Sequence, residues 1–83
     1  MAETKAELEQ RYRYQGKVPL QKRADIELEI VTNFLEDFPG TEVVKEDFAD
    51  NYRQWVFGGD GTEAIISSYV YSDGELSIIC MIW

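Results

Sequence analysis

Apolar and polar residues change their rhythm along this chain, and each change marks an element. Between Leu20 and Phe38, the residues Leu20, Ala24, Leu28, Val31, Leu35 and Phe38 recur at intervals of four and three. That spacing lines one side of a 3.6-residue helix, and Pro39-Gly40 supplies its stop. The stripe is expected to lie across a sheet. Ile26 and Ile30 fall on the flank, with Phe34 between them and the stripe, where an N-terminal arm or a subunit contact would cover them.

Beyond Gly40 the period shortens to two. Thr41 to Phe48 reads as a short strand or an extended connection, and Ala49-Asp50-Asn51 as a turn. Tyr52 to Phe57 alternates as a strand does. Gly58-Gly59-Asp60-Gly61 then forms a turn, because glycine tolerates backbone angles that other residues resist. The strongest local signal follows in Thr62 to Trp83, where two β-prone runs flank Asp73-Gly74, a hairpin pair. A two-residue turn there would set Tyr71 opposite Leu76, Tyr69 opposite Ile78, Ser67 opposite Cys80 and Ile65 opposite Ile82, on the face meant for the helix. The reverse face would end in an apolar patch at Ile66, Met81 and Trp83, the expected oligomer interface of a homodimer.

Ahead of the main helix, residues 3 to 15 are good helix formers, with Thr4 and Glu7 spaced as a capping box and Gly16 as terminator. Residues 1–17 are expected to be a short N-terminal helix or a flexible arm. Pro19 breaks the chain by disfavouring helix at Val18. The expected architecture is a single small α+β domain over 1–83, one main helix (about 20–38) packed on an antiparallel sheet of three to four strands.

Composition changes this picture in three places. With 83 residues and 45% hydrophobic content the chain can fold around one small core. No apolar run reaches the length of a membrane span, and MAETKAELEQ holds no apolar signal region, so the expected location is the cytoplasm, that of the host if the protein is viral. There is no histidine and one cysteine, which removes Ser-His, Cys-His and His-metal arrangements and any intrachain disulfide. Cys80, among Ile79, Met81 and Ile82, reads as a small buried hydrophobe.

Charge is distributed unevenly. Lys5, Arg11, Arg13, Lys17, Lys22 and Arg23 outweigh Glu3, Glu7 and Glu9 in the first 23 residues, whereas thirteen acids face only Lys45 and Arg53 in the rest, within a net charge of −8. An acidic body repels nucleic acid and anionic membrane and attracts basic protein surfaces.

The candidate chemistry is thin. Asp60-Gly61-Thr62-Glu63 has the start of a calcium loop without its later acids, and Gly58, Gly59 and Gly61 lack the Lys-Ser/Thr and helix of a phosphate cradle. The pairs Glu36/Asp37, Glu46/Asp47 and Asp47/Asp50 would need an enclosing cleft for acid–base work and read as a solvated face. No metal and no cofactor is expected, and no enzymatic activity. Arg11-Tyr12-Arg13-Tyr14 could offer phosphate contacts and stacking, which the acidic body opposes.

What remains is an acidic partner-binding face, Glu42, Glu46, Asp47 and Asp50 beside Tyr52 and Trp55. Charge would speed the encounter and aromatic anchors would slow release. In size, charge and layout, a helix followed by antiparallel strands with exposed acids, the chain resembles the small acidic inhibitors that phages use against host defence, including anti-CRISPR proteins and DNA mimics. The resemblance is one of class, with no motif matched residue by residue. It implies occupation of a basic, nucleic-acid-binding surface on a host protein. The alternatives are an assembly subunit docking through the apolar sheet face, and a nucleic-acid-associated protein acting through residues 11 to 23.

Overall fold

The computed structural model describes residues 4–59 and 61–83. Within them, α1 (Lys5–Arg11), β1 (Tyr14–Lys17), α2 (Leu20–Asp37), β2 (Glu42–Ala49), β3 (Tyr52–Gly59), β4 (Thr62–Val70) and β5 (Glu75–Ile82) follow in order. The strands form one antiparallel sheet in the order β1-β5-β4-β3-β2. The α+β class therefore holds, with five strands in place of three to four. No described helix is long and apolar enough to cross a membrane.

The additional strand comes from the N-terminal arm. Thr4 caps α1 as its spacing with Glu7 suggested, accepting the Glu7 amide at 3.2 Å and donating to the Glu7 carboxylate at 3.1 Å. The helix nevertheless stops at Arg11, because Tyr12 turns inward. Its ring meets Phe34 edge-on at 5.2 Å, and its hydroxyl donates to Asp37 Oδ2 at 2.5 Å. The chain then runs extended as β1, satisfying the backbone of β5 with Tyr14 opposite Ile78 and Gly16 opposite Leu76.

Helix α2 occupies the expected span but is turned about its axis. Arg23, Glu27, Val31 and Phe34 are buried, and Ile26, Ile30, Leu35 and Phe38 are partly so, while Leu20, Ala24 and Leu28 face outward. The flank that seemed to await an arm is in fact the core face. The charged residues on that face are paired. Glu27 Oε2 accepts from Arg23 Nε at 3.0 Å and Glu27 Oε1 from Arg53 Nη1 at 2.7 Å, so three charged groups pair under the helix where an apolar pattern cannot register them. At the other end Phe34 sits between Tyr12, Phe38 and Phe57, with ring centroids 5.2, 4.7 and 4.5 Å away.

The β4–β5 hairpin differs from expectation by one residue. Its loop is Ser72-Asp73-Gly74, closed by the Tyr71 N–H to the Glu75 carbonyl at 2.9 Å and the Gly74 N–H to the Tyr71 carbonyl at 3.0 Å, with Gly74 at φ +86°. A left-handed glycine after a tight turn is the mark of a three-residue loop. Ala64 thus pairs with Ile82, Ile66 with Cys80, Ser68 with Ile78 and Val70 with Leu76. Since side chains alternate, a slip of one position exchanges the two faces. Ile66, expected in an outer patch, is 1% exposed and belongs to the core under α2.

Gly59 is required by contact as well as by angle. Its φ is +127°, and a Cβ there would lie 2.6 Å from the Gly40 carbonyl oxygen. Gly59→Ala is expected to cost about 1–3 kcal/mol, read as a lower midpoint in urea with an unchanged slope.

Candidate functional site

Helix α2 covers one face of the sheet, and among the described residues nothing covers the other. The pairing registers lay that open face out in rows across the strands. Glu42, Gly58 and Glu63 form one row, continued to Trp83 by its N–H donating to the Glu63 carbonyl at 2.9 Å. Lys45, Val56, Ile65 and Met81 form the next, followed by Asp47, Gln54, Ser67 and Ile79, and then by Ala49, Tyr52, Tyr69 and Ser77. The register of β2 shifts between Val43 and Lys45. This bulge adds Val44 to the same surface, where it would meet a Cβ placed on Gly58 at 3.6 Å.

Two neighbouring rows thereby enclose a groove. It measures about 330 Å³, and its wall includes Val44, Val56, Gly58, Glu63, Ile65 and Trp83. A second hollow of about 260 Å³ shares Glu63 and Trp83. Met81 is 51% exposed and Trp83 62%, so this face presents two large apolar side chains. At the head of the groove, Glu42 and Glu63 stand on either side of Gly58, both exposed and neither in an ion pair with a described residue. Gly58 itself carries no side chain between these carboxylates, and the Val44 side chain reaches to 3.6 Å from where its Cβ would stand.

The residues expected to form the acidic face are only partly brought together. Glu42, Glu46, Asp47 and Asp50 are all exposed along or beside β2, the edge strand. Alternation divides them, however. Asp47 shares the open face with Gln54, with Lys45 Nζ 3.7 Å from its carboxylate, whereas Glu46 lies opposite Trp55 on the helix side. Trp55 is buried and packs on Phe48 at 5.4 Å, so it is a core residue and not a surface anchor. Tyr52 does lie on the open face, against Tyr69 at 5.2 Å and hydrogen-bonded to Gln54 Oε1. Its phenol is pushed up by burial first, then by Tyr69 and the Asp47 carboxylate. Ile66 is separated from Met81 and Trp83 by the thickness of the sheet.

No family model, curated protein or solved structure matches the chain.

The remaining chemical candidates are dispersed. Among the described residues no group of three or more Cys, Asp or Glu could hold a metal ion, and Asp60 of the calcium-loop fragment lies outside those residues. Asp37 is engaged by Tyr12. In the basic arm Tyr12 is sealed in the core, which leaves Arg11 and Arg13 without the expected pair of stacking rings. Cys80 is buried, and burial, reinforced by Glu9 and opposed by Arg13, pushes its thiol up from 9.0 to about 12.

Cys80 should consequently resist thiol reagents at neutral pH in the native protein and react once the chain is unfolded. The same shift governs alkaline stability. A raised native pKa keeps its contribution below the unfolded thiol value, and that contribution is lost as pH climbs from 9.0 towards about 12. Tyr12, raised by burial and then by Asp37, acts in the same direction above its ordinary value of 10.0. A pH series of thermal melts should decline first near pH 9, and Cys80→Val should delay that decline.

The residues that pattern reading missed are Val44, Val56, Gly58, Glu63 and Ile65. Their signal is positional, since only the strand register places Gly58 between two carboxylates.

Proposed function

We propose that this protein is a non-enzymatic protein-binding protein whose open sheet face receives a basic protein partner. The observation that carries the reading is the row Glu42-Gly58-Glu63-Trp83 at the head of the apolar groove. A lysine or arginine of the partner fits this arrangement. Its aliphatic stem lies along Val56, Ile65 and the Trp83 ring, and its charge stands between two carboxylates. The net charge of −8 draws such a partner in.

The same charges weigh against a second copy. Packing two open faces together would oppose Glu42, Glu63 and Asp47 of one chain with those of another, and like charges in contact cost several kcal/mol by rough reckoning. A heterologous basic protein is favoured over a homodimer. Asp47 on the open face and Asp50 just past the end of β2 carry acidic surface beyond the groove, which favours a partner whose basic surface is long, as on a protein that binds nucleic acid. Occupation of that surface would make this chain an inhibitor by competition. An assembly subunit would use the same groove, but its binding would rest on Trp83 and Met81 and respond little to salt.

Affinity capture from the source organism's lysate distinguishes these cases when wild type is run beside Glu42→Lys/Glu63→Lys and Trp83→Ala. The expected result is a basic partner retained by wild type, released by salt and lost from both variants. A partner held equally by the charge-reversed chain, or one of acidic character, would contradict the reading.

A further inference from the structure

We infer that the free edge of β2 receives an extended basic segment of a protein partner, which adds to the sheet as an antiparallel sixth strand. The partner's basic character rests on the open-face reading above. The seat is a different one, the backbone of β2 and not the Gly58 row.

The strand order leaves β2 without a neighbour on its outer side. It is the longer of the two edges, eight residues against the four of β1, and seven of its residues are exposed. Asp50-Asn51 joins it to β3 as a two-residue turn, with Ala49 opposite Tyr52. Such a loop is closed by a hydrogen-bonded pair, so the backbone groups of Ala49, Asp47 and Lys45 turn towards β3. Those of Phe48 and Glu46, in alternation, turn away from the sheet. Amides and carbonyls left unpaired along an edge are a template for another strand.

Proteins commonly guard an edge with a bulge or with charge. The bulge here lies at Val44, near the beginning of β2, and leaves Lys45 to Ala49 in regular register with β3. The charges in that stretch select an occupant. Glu46 and Asp47 are exposed on opposite faces of the strand, so an added strand meets a carboxylate on each side of the sheet. Asp47 has Lys45 Nζ at 3.7 Å, whereas Glu46 is in no ion pair with a described residue. Phe48, 57% exposed, stands on the same face as Glu46. Side chains directly opposite one another stabilise a ladder. The occupant is therefore apolar, basic and basic opposite Phe48, Asp47 and Glu46.

A second copy does not satisfy that pattern. Pairing β2 with itself so that Lys45 meets Asp47 sets Glu46 against Glu46, and like charges directly opposite are destabilising. A basic segment of another protein meets no such conflict.

The blocked peptide acetyl-Thr-Val-Arg-Lys-Thr-amide carries the pattern. A copy N-methylated at Val and Lys keeps the charge and loses the two amides that would face Phe48 and Glu46. In amide-resolved NMR titrations of the full chain, the first peptide should give saturable shifts largest at Glu46 and Phe48, and should slow exchange of those two amides. The methylated copy should bind at least about fivefold more weakly. Glu46→Lys should weaken the first peptide by a similar factor, and Glu63→Lys, two strands away on β4, should leave its binding nearly unchanged. Equal binding of the two peptides would overturn the assignment, since charge alone would then be read, and so would shifts centred on the Gly58 row. Either result leaves the open-face reading standing. Failure to saturate at roughly 10 mM, or protection at Glu46 that rises with the concentration of the chain alone, would overturn it as well.

Discussion

Phe34→Ala is expected to remove a large share of the chain's stability. Phe34 is fully buried and is the one ring in contact with Tyr12, Phe38 and Phe57 together. It joins the N-terminal segment, α2 and the sheet. Truncating such a residue costs about 3–5 kcal/mol, since the lost transfer energy is compounded by a cavity that rigid neighbours cannot close. A domain of this size has roughly 5–10 kcal/mol in all. Urea unfolding followed by far-ultraviolet circular dichroism should show a much lowered midpoint with an unchanged slope. Phe34→Leu should retain the fold at a smaller cost, because it fills part of the space.

Glu27→Gln is expected to be almost as damaging, for an electrostatic reason. Its carboxylate is 2% exposed and answers two guanidinium groups. Removing the charge leaves Arg23 buried without an anion, which costs about 3–5 kcal/mol. Arg53 suffers less, being 35% exposed at the side chain and lying over the Phe48 ring at 5.6 Å. The double replacement Arg23→Met/Glu27→Leu should recover most of the loss, because an apolar pair of similar volume removes the buried charges together. A double-mutant cycle in urea would then give a strong favourable coupling between positions 23 and 27. Independent, additive losses would mean that the two side chains do not share the buried pair seen here.

These two residues also mark the limit of what the letters convey. The existence of α2, the Asp73-Gly74 hairpin and the strand beginning at Tyr52 could all be read from periodicity and turn chemistry. The facing of α2 could not. Arg23 and Glu27 look like solvent-side residues until Arg53, some 26 positions further on, supplies the third member that lets them go under the sheet. The hairpin register was missed for a related reason, because the choice between a two- and a three-residue loop turned on the backbone of Gly74 and not on composition. With the register went the faces, and so Ile66 was assigned outward, while Trp55 was set beside the acids with no strand pairing to show which face it takes.

Residues 14–17 are instructive in another way. Gly16 signalled the end of a helix, and it sits in a strand because the free edge of β5 offered its backbone hydrogen-bond partners. Such pairings join residues some 60 positions apart, beyond the reach of any local window. For the candidate site, Glu42 and Trp83 were visible as charge and exposed ring. Their convergence on Gly58 depended on two strand registers and the bulge at Val44.

Hydrogen–deuterium exchange of the chain alone and bound to its captured partner is the most direct measure of which surface is used. The open-face account predicts added protection in β2, β3 and the C-terminal residues around Trp83, with the outer side of α2 at Leu20, Ala24 and Leu28 unchanged. Protection confined to that outer side of α2, with the Gly58 row exchanging as it does in the free chain, would contradict it.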